Sequence, residues 1–175
     1  MTTEERIKIL DFLQRNKMDL LNYVSDIDDK NFMTKPSDDI WSIAEVVEHL
    51  VLTDESIYNQ ILHNAQNILD TVPETTPDSK ILHVVPNTRY GKVVSAKHIT
   101  PQAIYKSKEE ALMAFNASRS KIENFVETTD LPLKRIAFRH FAFGLLHGKN
   151  WLIFMVAHCQ RHINQIYILK SEFED

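Results

Sequence analysis

Glycine is scarce: a chain of 175 residues contains three, Gly91, Gly144 and Gly148. With so few positions free to take positive φ, glycine-rich phosphate loops are excluded and an architecture of many tight β-turns is disfavoured. The one cysteine, Cys159, rules out an internal disulfide framework and fits a reducing compartment. No charge-free apolar run reaches the roughly 18 residues of a membrane span, and the N-terminus MTTEERIKIL lacks the apolar core of a signal peptide. Excess charge of one sign is also missing. Twenty basic and 24 acidic residues are interspersed to a net charge of -4, leaving no basic stripe for phosphates. These absences predict a soluble cytoplasmic protein with neither membrane nor nucleic acid as partner. The length suits one domain, residues 1–175, with a substantial core.

What the chain does have is helical periodicity. Thr2 to Glu5 has the capping-box pattern, and Ile7, Leu10, Leu13, Leu20, Leu21 and Val24 recur near helical spacing, predicting a helix from about residue 4 to about 25. Ser42 and Glu45 open a second, predicted to run to about Asp70, since neither glycine nor proline interrupts Ile43, Val46, Val47, Leu50, Ile57, Ile61, Leu62 and Leu69. Ser107 and Glu110 open a third, through Leu112, Phe115, Ile122 and Phe125 to about Thr128. A last helix follows Asn150, its expected N-cap. Residues 71–107, with Pro73, Pro77, Pro86, Gly91, Pro101 and short β-branched patches (HVV, KVV), read as a long irregular connection. The stretch TTDLPLKRIAFRHFAFGLLHGK reads as a second one. The expected fold is all-α, a four-helix bundle in which the long connection crosses over and leaves the second and third helices parallel.

The chemistry concentrates in WLIFMVAHCQRHINQIYIL. His158 and His162 are four residues apart, so one helical face presents both imidazoles, with Cβ atoms roughly 5–6 Å apart. Two readings compete: polar residues on a solvated edge, or ligands of an ion. Trp151, Met155, His158, His162, Gln165 and Leu169 step by four and three, which places the pair in a seam facing the bundle interior. His49, in WSIAEVVEHL, is the candidate third ligand. Three neutral imidazoles suit zinc or nickel and leave a position open for water or substrate; with no thiolate or carboxylate bound, the ion keeps nearly its full charge.

Other site types lack their residues. Carboxylate-bridged di-iron bundles need Glu three residues before His, which no histidine here has. A zincin needs Glu after the first His of HxxxH, where Cys159 stands. Cys159 itself lies about 100° around the helix from His158, as an ordinary buried thiol does. His63, His83 and His98 read as surface or loop residues, while His140 and His147 flank Gly144 near the start of the last helix, with a ligand role for either not favoured. Glu45 is first a capping residue and second a possible hydrogen-bond acceptor for His49; Gln165 either bonds a ligand on the ion or faces the pocket rim.

WSIAEVVEHL and RHFAFGLLHGKNWLIFMVAHCQRHINQI together resemble the DinB/YfiT-like superfamily, over nearly the whole chain and most weakly between Thr71 and Ser107. Glu48 stands where some members have a further histidine, and Phe141 where many have proline. The resemblance implies a four-helix bundle with parallel second and third helices, and a divalent metal on His49, His158 and His162. It also implies activities ranging from S-transfer with low-molecular-weight thiols such as bacillithiol or mycothiol, through thiol-dependent isomerisation and ergothioneine synthesis, to metal-dependent hydrolysis without a proven substrate. The leading expectation is therefore a metal-dependent enzyme joining a thiol to a small electrophile. The alternatives are a metal-dependent hydrolase and a non-catalytic metal-binding or dimeric interaction bundle, a homodimer being compatible with the long amphipathic helices.

Overall fold

Capping decides where the long helices begin. The protein is described by a computed structural model over residues 1–87 and 96–171. Thr2 accepts from the Glu5 N–H while the Glu5 carboxylate accepts from the Thr2 N–H, and α1 runs Thr3–Val24. Ser42 and Glu45 repeat the device at the start of α3, Ile43–Asn64. Ser107 caps α5, Lys108–Thr128, but Glu110 turns back to the Lys106 N–H, one residue short of a reciprocal box. The last helix, α6, spans Gly148–Ser171. Two short helices, α2 at Asp29–Met33 and α4 at Asp78–Val84, lie in the connections. Among the described residues no helix is long and apolar enough to cross a membrane.

Cross-contacts fix the helix directions. Glu5 meets Lys149, Asn16 meets Gln160 and Asp26 meets Lys170, so α1 and α6 run parallel. Arg6 donates to the carbonyls of Val126, Glu127 and Thr129, while Lys108 donates to those of Ser25 and Ile27, so α1 and α5 are antiparallel. Asp54 faces Arg119 and Tyr58 faces Phe125, making α3 and α5 parallel. The expected crossover is therefore present. Each of α1 and α3 packs on both α5 and α6.

The core has two apolar halves. One gathers Ile9, Leu13, Ile57, Ile61, Ile122, Val126, Trp151 and Met155; the other gathers Leu20, Val24, Val46, Leu50, Phe115, Cys159, Ile163 and Ile166. At the level between them lie buried polar groups of α1, α3 and α5: Asn16, Thr53, Asp54, Ser118 and Arg119.

Four expectations are corrected. The second long helix stops at Asn64, short of Asp70, because Leu69 leaves to exchange hydrogen bonds with Arg135: its N–H donates to the Arg135 carbonyl, and Arg135 Nε donates to its own. The stretch before the last helix is not irregular but holds a hairpin, β1 at Ala137–His140 against β2 at Gly144–His147. The turn between them is the three residues 141–143, and Gly144, which opens β2, has a φ of 69°, the left-handed conformation that glycine adopts readily. Asn150 is not an N-cap, since α6 begins at Gly148; His147 Nδ1 accepts the Asn150 N–H instead, and the Asn150 side chain bonds Thr75 and Asp78. The connection expected to be irregular over 71–107 contains a helix, α4, which ends in the HVV patch, whereas KVV at 92–94 and Gly91 lie outside the described residues.

Candidate metal centre

Helical spacing brings His158 and His162 together on α6, and the antiparallel packing of α3 against α6 delivers His49 opposite them. His49 and His162 are buried and His158 is partly exposed. The His158 Nε2 lies 3.1 Å from His162 Nε2 and 3.4 Å from His49 Nε2. One ligand atom from each ring can be chosen so that all lie within 4.8 Å of one another. Four donors placed tetrahedrally about 2.0–2.1 Å from an ion stand about 3.3 Å apart, so the two separations from His158 match edges of such a site. No Asp, Glu or Cys joins this group among the described residues.

The outer nitrogens explain why the inner ones converge. His49 Nδ1 donates to the Ile99 carbonyl at 2.7 Å, and His162 Nδ1 donates to Gln165 Oε1 at 2.8 Å. A ring that gives its proton away at Nδ1 presents an unprotonated Nε2, the form a metal ligand needs. Gln165, expected at the pocket rim or on a bound ligand, thus orients His162. Glu45, weighed as an acceptor for His49, instead completes the Ser42 cap and faces Lys35 at 3.7 Å. The ring planes are further fixed by Trp41, 5.0 Å from the His49 ring, and by Phe154, stacked on His158 at 5.5 Å with a 20° interplanar angle.

Burial keeps the three imidazoles neutral. It lowers all three pKa values, His162 to about 3 and His158 well below the ordinary value. Repulsion from neighbouring rings adds to the lowering at His158 and His162, and the Arg161 charge adds to it at all three. At neutral pH the rings therefore offer lone pairs, and the donor set fits a borderline divalent ion such as zinc or nickel.

The remaining candidates stand apart. His63, His83 and His98 are exposed, as expected. His140 is buried in an aromatic cluster of Phe141, Phe143, Trp151 and Phe154, and its Nδ1 accepts the backbone N–H groups of Ala142 and Phe143. Cys159 is fully buried, with burial pushing its thiol up to about 11, which is an inert packing role. Sequence reasoning missed Ile99, Trp41, Phe154 and Arg161. Ile99 acts through its carbonyl, which no side-chain pattern marks. Phe154 sits one turn before His158, so helical spacing could have found it.

Comparison with known proteins agrees with this architecture. The model of the DinB superfamily matches residues 13–166. The uncharacterised protein YuaE of Bacillus subtilis (strain 168) is 22% identical over 158 residues, covering 90% of this chain and 94% of that protein. Among solved structures, YfiT from Bacillus subtilis, described as "a probable metal-dependent hydrolase with an unusual four-helix bundle topology", superposes with a TM-score of 0.59 at 19% identity, covering 99% of this chain and 90% of YfiT. At that identity the likeness establishes the fold alone.

Proposed function

This chain belongs to the DinB superfamily, and from that premise we propose that it is a metal-dependent enzyme whose divalent cation, zinc or nickel, is held by His49, His158 and His162. The observation that carries the reading is the convergence of three Nε2 atoms, two of them set by acceptors on the far side of their rings.

The favoured chemistry is transfer of a small thiol to an electrophile. A cation on three neutral imidazoles keeps its double charge and lowers the pKa of a thiol or water brought to it. The chain's own residues supply position and environment. Ile99 and Gln165 hold two rings in the binding tautomer. Phe154 braces the third, and His49 and His162 are buried in the bundle. A thiol, with an ordinary pKa of about 8.5, would release its proton to solvent once held by the cation, and its sulfur would then displace the electrophile's leaving group, so no general base from the protein is required.

Hydrolysis is the second reading, favoured by the description of YfiT. It ranks lower because water attack benefits from a carboxylate base, and the two carboxylates within about one turn before His49 on α3 are engaged: Glu45 in its cap and Glu48 with the backbone of Gln102 and Ile104.

The test is to load the purified protein with zinc or nickel and assay conjugation of a small thiol to a chlorodinitrobenzene, beside hydrolysis of activated esters and amides. Conjugation lost in a folded His158→Ala variant supports the first reading. Ester or amide turnover with no conjugation selects the second. If zinc raises thermal stability but neither reaction occurs, the cation is structural.

A further inference from the structure

Glu48 is 2% exposed, beside the ligand His49, in a bundle where a buried carboxylate must be satisfied to be tolerated. It is satisfied by the crossover. One carboxylate oxygen accepts the Gln102 N–H at 2.7 Å and the other accepts the Ile104 N–H at 3.2 Å. Between these donors sits Ala103 at φ 54°, a conformation that residues with a Cβ rarely adopt and that persists only where neighbours enforce it. Both of its neighbours are tied to the same carboxylate, which supplies that enforcement.

A few residues upstream, at the end of the short 3-10 turn Lys97–Ile99, the Ile99 carbonyl accepts the His49 Nδ1 proton. Adjacent residues of α3 therefore grip the two ends of one strap, residues 99–104. Glu48 takes donors from its far end, and His49 gives a proton to its near end. The strap has no regular structure after the 3-10 turn; that turn holds the Ile99 and Thr100 N–H groups at its near end, and Glu48 holds its far end through Gln102 and Ile104.

We infer that Glu48 is a positioning residue: by clamping the strap through Gln102 and Ile104, it keeps the Ile99 carbonyl against His49 Nδ1 and thereby keeps His49 Nε2 deprotonated and aimed at His158 and His162. Without the clamp His49 loses its preferred acceptor, and its ring is free to move its proton to Nε2, where it competes with a cation. The part of the inference that concerns cation affinity rests on the three-histidine reading above. The part that concerns the tautomer does not.

The experiment uses the full chain labelled with nitrogen-15, free of metal, as wild type, Glu48→Gln and Glu48→Ala. Long-range proton–nitrogen spectra report the His49 tautomer, amide exchange reports the strap, and competition with a chromophoric chelator reports zinc affinity. Wild type should show His49 protonated at Nδ1 with Gln102 and Ile104 amides protected. In Glu48→Ala both protections should fall, His49 should populate the Nε2–H form, and zinc should bind roughly 10–100-fold more weakly. His162, held by Gln165, should keep its tautomer. Glu48→Gln retains one acceptor oxygen and should fall between; it carries the same comparison if the alanine variant fails to fold. Free exchange at Gln102 and Ile104 with an unchanged His49 tautomer would overturn the inference, as would protection that survives removal of the carboxylate. If wild type takes up no zinc, the metal reading fails while the tautomer comparison still decides the role of Glu48.

Discussion

Arg119 Nε lies 2.8 Å from Asp54 Oδ2 with both side chains out of contact with solvent, in the polar layer that divides the two halves of the core. Burial raises the Asp54 pKa to about 6 against the pull of Arg119, so the pair is held under opposing forces. Breaking one partner strands the other. Arg119→Ala is expected to cost about 3–5 kcal/mol, and the double replacement Asp54→Leu with Arg119→Leu much less, because two apolar side chains leave no unpaired charge. Urea unfolding of the single and double variants checks this; equal losses would mean that the pair is not the source of the cost.

Gln165 accepts from His162 on the side away from the centre. Gln165→Ala should weaken zinc binding roughly 10–100-fold by releasing the ring, whereas His158→Ala removes a donor and should abolish stoichiometric uptake. Chelator competition distinguishes the two. Affinity unchanged in Gln165→Ala would show that packing alone orients His162.

His140 carries a pH prediction of definite sign. Burial lowers its pKa to about 4, and its Nδ1 already accepts two backbone N–H groups that a protonated ring could not keep. With the folded pKa below the unfolded one, the unfolded chain binds the proton first. The stability contribution is full above about pH 6.5 and is lost as pH falls toward 4, to the extent of about 2–3 kcal/mol. An NMR titration of the metal-free protein should find this ring neutral at pH 5. A midpoint near 6.5 would contradict the geometry.

Glu5 acts lower on the scale. Burial opposes its charge, but the hydrogen bonds from Lys134 and the Thr2 N–H, with the Lys149 charge, hold it at about 2. Its contribution is present above about pH 4.5 and is lost as pH falls toward 2. Glu5→Gln should therefore lower the thermal midpoint at pH 7 and leave it unchanged near pH 2. A loss of equal size at both pH values would assign the effect to the cap alone.

Gly144 tests the hairpin. Its φ is 69° and a Cβ there would meet nothing within 4 Å, so Gly144→Ala is penalised by backbone conformation alone, about 1 kcal/mol. Chemical denaturation measures this directly. A loss several times larger would mean that the turn, and with it the His140 cluster, had rearranged.

Features that depend on neighbours along the chain are legible in the order of residues alone. Thr2, Ser42 and Ser107 mark helix starts because a side chain three residues from a free N–H can reach it. His158 and His162 share a face because the helix repeats every 3.6 residues. Even the crossover followed from the length of the 71–107 connection. Whatever requires distant segments to meet emerges only on folding. The second long helix ends at Asn64 because Leu69 finds Arg135, and the last begins at Gly148 because His147, not Asn150, serves its first turn. The meeting of His49 with the α6 pair was readable as a candidate only. Its execution depends on antiparallel packing, on a carbonyl fifty residues away, and on a carboxylate that holds that carbonyl's strap. Backbone groups are identical at every position, so no pattern of side chains announces which of them a fold will use.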